Sequence, residues 1–296
     1  MQVKALACEL PAESGVPLSR YSTRDLARVV VDRGITAAIS GTTIWRWLAR
    51  EAIRPWFHRS WIFPRDPQCA AKAGRILELY HGEWEGHQLG KDEYVLSADE
   101  KPGIQARARV HPSTPPRPGQ AMRIEHEYGR AGALGYLAAW DVRRAQLFGR
   151  CEPTSGIVPF ERLVAQVMAQ APYATARRVF WIVDNSSSHR GRAAVQRLAA
   201  PARSVQRRAL RWPNLVLVHL PIHASWLNQI EIFFSILERK VLRPNSYESL
   251  FALEDTILAF QDRYQAHARP FDWKYTRQDL ARLLARLSVD AARRAA

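Results

Sequence analysis

The stretch HASWLNQIEIFFSILERKVL, residues 223–242, sets Trp226, Leu227, Ile230, Phe233, Phe234, Leu237 and Val241 at the spacing of one helical face. It predicts a helix packed on a core. At about 100° per residue, Glu231 lies at the edge of that face, with Asn228, Ser235 and Glu238 along the same side. A carboxylate there is positioned by packing yet still reaches solvent or a cation. Taken alone it reads as a solvated flank.

Two further carboxylates give it company. Phe180–Val183 (FWIV) is a continuous apolar run ending in Asp184-Asn185, the pattern of a strand buried on both faces. The carboxyl ends of such strands open into the ligand crevice of α/β sheets. Tyr94–Ala98 (YVLSA) likewise runs into Asp99-Glu100-Lys101, with Pro102 expected to stop the strand. Either Asp alone reads as a turn or cap residue. Together, Asp99, Asp184 and Glu231 make a set of hard oxygen donors of the kind that holds a pair of divalent cations, Mg²⁺ above all. They are expected to converge on one site.

The runs Ser97-Ala98-Asp99-Glu100-Lys101, Val183-Asp184-Asn185 with His189 following, and Ser225-Trp226-Leu227-Asn228-Gln229-Ile230-Glu231 with Phe234 and Ser235 resemble the three acidic motifs of bacterial insertion-sequence transposases of the mariner superfamily, which are of DDE type. The resemblance continues through Tyr128, Arg130, Gly132, Leu137-Ala138-Ala139 before Asp141, and Pro270-Phe271 with Trp273, so it covers almost the whole chain. The interval from Asp184 to Glu231 is longer than the family pattern, and the excess is assigned to the Arg-rich segment Pro201–Trp212. The resemblance implies an α/β fold, a ribonuclease H-like mixed sheet flanked by helices. It implies metal-dependent phosphodiester cleavage at element ends and strand transfer into target DNA. Asp99 and Asp184 would hold the metal pair, Asp99 bridging, with Glu231 on the second ion; two Mg²⁺ are implied, with Mn²⁺ as a substitute. Asn185, His189 and Asn228 would support them. The implied partner is double-stranded DNA, bound by a homodimer. A catalytically inert DNA-binding remnant or repressor, and a simple nuclease of the same fold, stay open as alternatives.

Charge agrees with a polyanionic partner. Forty-three Lys and Arg against 28 Asp and Glu leave a net charge of +15 in 296 residues, although a genome rich in Arg codons would give the same balance. Cys8, Cys69 and Cys151 follow no C-x-x-C spacing, which argues against a thiolate zinc site and against a disulfide framework. No apolar run is long enough to span a membrane, and a cytoplasmic, nucleoid-associated protein is expected.

Along the chain, residues 1–20 read as irregular, interrupted by Pro11, Gly15 and Pro17. Ser22 with Asp25 opens a short helix and Ser40 opens a second, Gly41–Glu51, with Ile44, Trp47 and Leu48 inward and Thr42, Thr43, Arg46 and Arg50 outward. The pair reads as a small all-α helix-turn-helix unit or as a plain helical hairpin. Members of the resembled family carry a further such module ahead of it, so QVKALACELPAE is expected to be a connection and the chain to be N-terminally shortened. The organisation expected is residues 1–66 for DNA binding and linker, with aromatics among Arg54, Arg59 and Arg65; a connecting helix within 67–90, over Cys69–Trp84; a catalytic domain, 91–245; and C-terminal helices, 246–296, over Ser246–Ala268 and Thr276–Leu287.

Overall fold

The computed structural model describes residues 1–58, 64–186 and 214–295, with backbone alone for 214 and 288–295. His189, Arg59, Trp61, Phe63, the helix expected at 192–199 and the Arg-rich Pro201–Trp212 segment lie outside the described residues. The chain divides into two compact units, Met1–Ile62 and Phe63–Ala296.

The first unit is built from α1 (Gln2–Ala7), α2 (Thr23–Asp32) and α3 (Gly41–Ala49). Ser22 and Asp25 close a reciprocal capping box on α2, and Ser40 Oγ accepts the Thr43 N–H (3.1 Å) to start α3. Leu26, Val30, Ile44 and Leu48 are fully buried around Tyr21, as their i, i+4 spacing requires. Two expectations are corrected here. Residues 1–20 are not merely irregular: Val3, Leu6 and Ala7 follow a helical period and pack α1 into this core. The Pro-Gly punctuation that obscures this begins only at Pro11. Trp47 does not point inward, being 41% exposed; the core of so small a unit is filled by Ile44 and Leu48, and Trp47 is left on the rim with Trp45.

The second unit centres on a five-stranded sheet in the order β5–β4–β3–β6–β7. The strands are β3 (Glu93–Ala108), β4 (Gly129–Asp141), β5 (Gln146–Glu152), β6 (Arg178–Val183) and β7 (Asn214–His219), preceded by a two-residue pair, β1 (Glu83–Trp84) and β2 (His87–Gln88). Pairing is antiparallel for β3–β4 and β4–β5 and parallel for β3–β6 and β6–β7. Alternation along the strands divides the core in two. Leu96, Ala98, Trp181 and Val183 face α5 (Ile157–Met168) through Phe160, Leu163 and Val167. Val95, Phe180 and Ile182 face the other layer, made by α4 (Cys69–Tyr80), α6 (Ile230–Leu237), α7 (Leu250–Gln265) and α8 (Arg277–Ala295).

β6 is buried on both faces, as its apolar run predicts. β3 does not stop at Pro102. A register irregularity between Lys101 and Ile104 absorbs the proline, with Gly103 at φ +67°, and the strand continues to Ala108. Asp99 therefore sits within a strand and not at its end. The stretch 223–242 is also not one helix: a 3₁₀ turn at Ser225–Leu227 precedes α6, and a π-helical turn, Glu238–Leu242, ends it. Ile230, Phe233, Phe234 and Leu237 are buried, whereas Trp226 is 39% exposed and rests edge-on against Tyr275. The helix expected over Cys69–Trp84 ends at Tyr80, because Gly82 (φ +80°) turns the chain into the β1–β2 pair. Phe271 and Trp273 pack on Trp140 and Tyr80. Among the described residues no helix is long and apolar enough to cross a membrane.

Candidate active site

Ser97 and Asp99 share the face of β3 that looks toward α6. No side chain of its own caps α6; instead Ser97 Oγ accepts the Ile230 N–H (3.0 Å), satisfying one of the donors a helix start leaves open. The Ser97 hydroxyl in turn donates to Asn228 Oδ1. Asn228 is 1% exposed, and its Nδ2 donates to Asp99 Oδ2 (2.9 Å) and to the Ala98 carbonyl (3.2 Å). Asp99, also buried, receives the Glu100 N–H on Oδ1 (2.8 Å). Tyr80 adds a second tie, donating to the Leu227 carbonyl at 2.6 Å. The start of the helix carrying Glu231 is thus fastened to the strand carrying Asp99 by a buried polar network.

Asp184 follows the last residue of β6. The β3–β6 register ends at Ser97↔Ile182, and Asp99 and Asp184 each stand two residues beyond it, on strands running in the same direction. Asp184 Oδ1 accepts the Ser186 N–H (2.8 Å), and Asn185 donates to the Leu220 carbonyl, tying the ends of β6 and β7 together. Glu231 lies in the first turn of α6, where the helix dipole favours negative charge. It stands on the exposed side of that helix. Partial desolvation nevertheless raises its carboxyl above the ordinary value; the Lys101 ammonium opposes the shift and the Asp184 carboxylate adds to it. Glu231 therefore feels Asp184. Lys101, two residues past Asp99, also pairs with Glu238 (2.9 Å) at the far end of α6.

Among the described residues no group of three or more His, Cys, Asp or Glu side chains is drawn together closely enough to hold a metal ion. The donor chemistry nonetheless fits a hard divalent cation: three carboxylates, one oriented from behind by Asn228, with Asp184 and Glu231 in mutual repulsion that a cation would relieve.

On α3, Thr42, Arg46 and Arg50 are exposed. Thr43 is half-buried and its hydroxyl is shared with Ser40 (2.9 Å) and Arg46 (3.5 Å), so it is committed to the helix start. Trp45, 53% exposed, stands beside them and was not among the sequence candidates. The roles of Ser97 and Lys101 were missed as well. For both the signal is the period-2 spacing from Asp99, although the partners of Ser97 lie more than a hundred residues away.

A family profile described as DDE superfamily endonuclease matches residues 94–254, more than half of the chain. No curated protein matches significantly. Similar solved structures include the Mos1 mariner paired end complex with Mn (14% identity, 97% of this chain and 76% of that chain, TM-score 0.51). The Mos1 mariner paired end complex with Mg is similar to the same degree (13% identity, 97% and 76%, TM-score 0.51), as is the Mos1 strand transfer complex (13%, 97% and 75%, 0.50). At such identities the likeness is one of fold. The mixed sheet with its flanking helices is ribonuclease H-like, as the resemblance implies.

Proposed function

Because the chain belongs to the DDE superfamily endonucleases, we propose that it is a DNA transposase that cuts at the ends of a mobile element and joins the freed 3′ ends to target DNA. The observation that carries this reading is the buried Ser97–Asn228–Asp99 network, which joins the strand of the first acidic motif to the helix of the third. Asp184, the second acidic residue, is felt electrostatically at Glu231. The catalytic assignment is Asp99, Asp184 and Glu231, with Asn228 and Asn185 as positioning residues and His189 on the loop after Asp184.

Those three carboxylates would hold two Mg²⁺, or Mn²⁺ in their place, and when bound such ions activate the attacking oxygen and stabilise the leaving one. Asn228 Nδ2 fixes the Asp99 carboxylate by donating to Oδ2, while the Glu100 N–H holds Oδ1. Lys101 offsets the negative charge around Glu231 and favours its ionised form. In the cutting step a water oxygen bonds to phosphorus as the 3′ oxygen leaves. In the joining step that 3′ hydroxyl bonds to a target phosphorus as the target's own 3′ oxygen leaves, so the number of phosphodiesters is conserved.

Thr42, Arg46 and Arg50 on α3 would meet the DNA major groove, in the manner of a helix-turn-helix, with Trp45 beside them. The chain is read as acting as a homodimer, because two ends must be handled together. Incubating the full chain with Mg²⁺ and a supercoiled plasmid carrying the DNA that flanks its gene tests the reading. Nicked ends and joined products support it. Nicking without joining supports the simple nuclease, and binding without either supports the inert remnant.

A further inference from the structure

β3 outruns its parallel neighbour. Its pairing with β6 ends at Ser97↔Ile182, whereas its pairing with β4 runs on to Ala108↔Gly129. Along this outer half, the edge away from β4 is met by the segment after Pro244. The Arg107 N–H donates to Asn245 Oδ1 (3.3 Å), Asn245 Nδ2 donates to the Gln105 carbonyl (2.7 Å), and the Tyr247 N–H donates to the Arg107 carbonyl (2.8 Å). Between this edge and the π-helical turn lies a groove of about 470 Å³ whose charged lining is Lys101, Arg107, Arg109, Arg243 and a single acid, Glu238.

The distribution of charge in the groove is uneven in an informative way. Glu238 is gripped from two sides, by Lys101 Nζ at 2.9 Å and Arg243 Nε at 2.6 Å. Arg107 stacks on Tyr128 at 4.7 Å, and its Nε is buried without a hydrogen-bond partner. Arg109 lies over the same ring at 5.6 Å and is steadied by the Asn245 carbonyl (3.1 Å). An ammonium and a guanidinium closing on one carboxylate make the grip that a phosphodiester oxygen would also receive. The groove begins at Lys101, two residues past Asp99 on β3. A backbone leaving the carboxylates along β3 would meet these cations in turn.

We propose that this groove seats the sugar–phosphate backbone of the DNA strand next to the cleavage position, one phosphate displacing the Glu238 carboxylate from between Lys101 and Arg243. The inference rests on the transposase reading. Glu238 acts as an internal competitor: it keeps the cations ordered when DNA is absent and weakens the grip when DNA is present.

The test is fluorescence anisotropy of a labelled random-sequence duplex with the full chain over about 50 to 300 mM salt. Arg243→Gln removes one phosphate contact, so it weakens binding on the order of fivefold to tenfold near 0.1 M salt and makes the log–log salt slope shallower by about one. Glu238→Gln removes the competitor and tightens binding by a few fold. Damage to the fold would weaken both variants, so the opposite signs carry the proposal. Unchanged affinity in both, or weakening in both, overturns it. If that overturning occurs in a protein that still cuts and joins DNA, the groove alone falls. If the opposite signs appear in a protein that does neither, the groove stands and the transposase reading falls.

Discussion

Replacing Asn228 with Ala tests whether the polar network between β3 and α6 is a structural clamp. Asn228 is 1% exposed and its side chain makes three hydrogen bonds: to the Asp99 carboxylate, to the Ala98 carbonyl and from the Ser97 hydroxyl. A bond to a charged group contributes about 1.5–3 kcal/mol and a neutral one about 0.5–1.5 kcal/mol, and the partners left behind are buried. Allowing for incomplete additivity, Asn228→Ala destabilises the second unit by roughly 3–5 kcal/mol. With a urea dependence of about 3 kcal/mol per M, the midpoint falls by about 1 to 1.7 M. Urea titration followed by tryptophan fluorescence measures this, with Ser235→Ala on the exposed side of the same helix as a control near zero. A loss below about 1 kcal/mol would refute the clamp.

Phe233→Ala, at a fully buried ring touching Tyr136, Phe234, Phe260 and Tyr264, costs about 3–5 kcal/mol in the same titration; a value near that of a surface substitution would show that α6 is not packed as described. Asp66 is buried, and the Lys72 ammonium (2.8 Å) is the chief cause holding its carboxyl below the ordinary value, so its contribution is present above pH 3.8 and is lost as pH falls through the lower folded value. Asp66→Asn is accordingly less stable than the parent near neutrality, and the gap closes below pH 3.8; a gap that stays constant with pH would contradict the pairing. Arg46→Ala on α3 reduces the preference for end-containing over random DNA by about 1–3 kcal/mol in competition binding, whereas equal loss on both sequences would exclude a base-reading role.

Local signals carried much of the fold. The buried run of β6 and the capping residues Ser22 and Ser40 are written in neighbouring residues, and each forms the element its pattern implies. What the pattern misplaced depends on distant partners. Pro102 reads as a stop for β3, yet the long ladder with β4 carries the strand past it through one irregularity. Trp226 fits the apolar face of a continuous helix, but the chain adopts a 3₁₀ turn there because Asn228 and the Ile230 N–H are recruited by β3. The three carboxylates are singled out by their positions in the apolar pattern and by the family resemblance, and their catalytic role is a proposal. The place of Arg243 is not legible in this way, since it comes from Glu238, the side chain the fold brings to it.

The most direct test of the central claim is DNA cleavage by Asp99→Asn, Asp184→Asn and Glu231→Gln beside the parent, each assayed in Mg²⁺ with binding to the same DNA measured in parallel. The account predicts that each substitution removes a metal-binding oxygen and abolishes cutting while leaving DNA affinity essentially intact. A variant of any of the three that still cuts at the parental rate would contradict it.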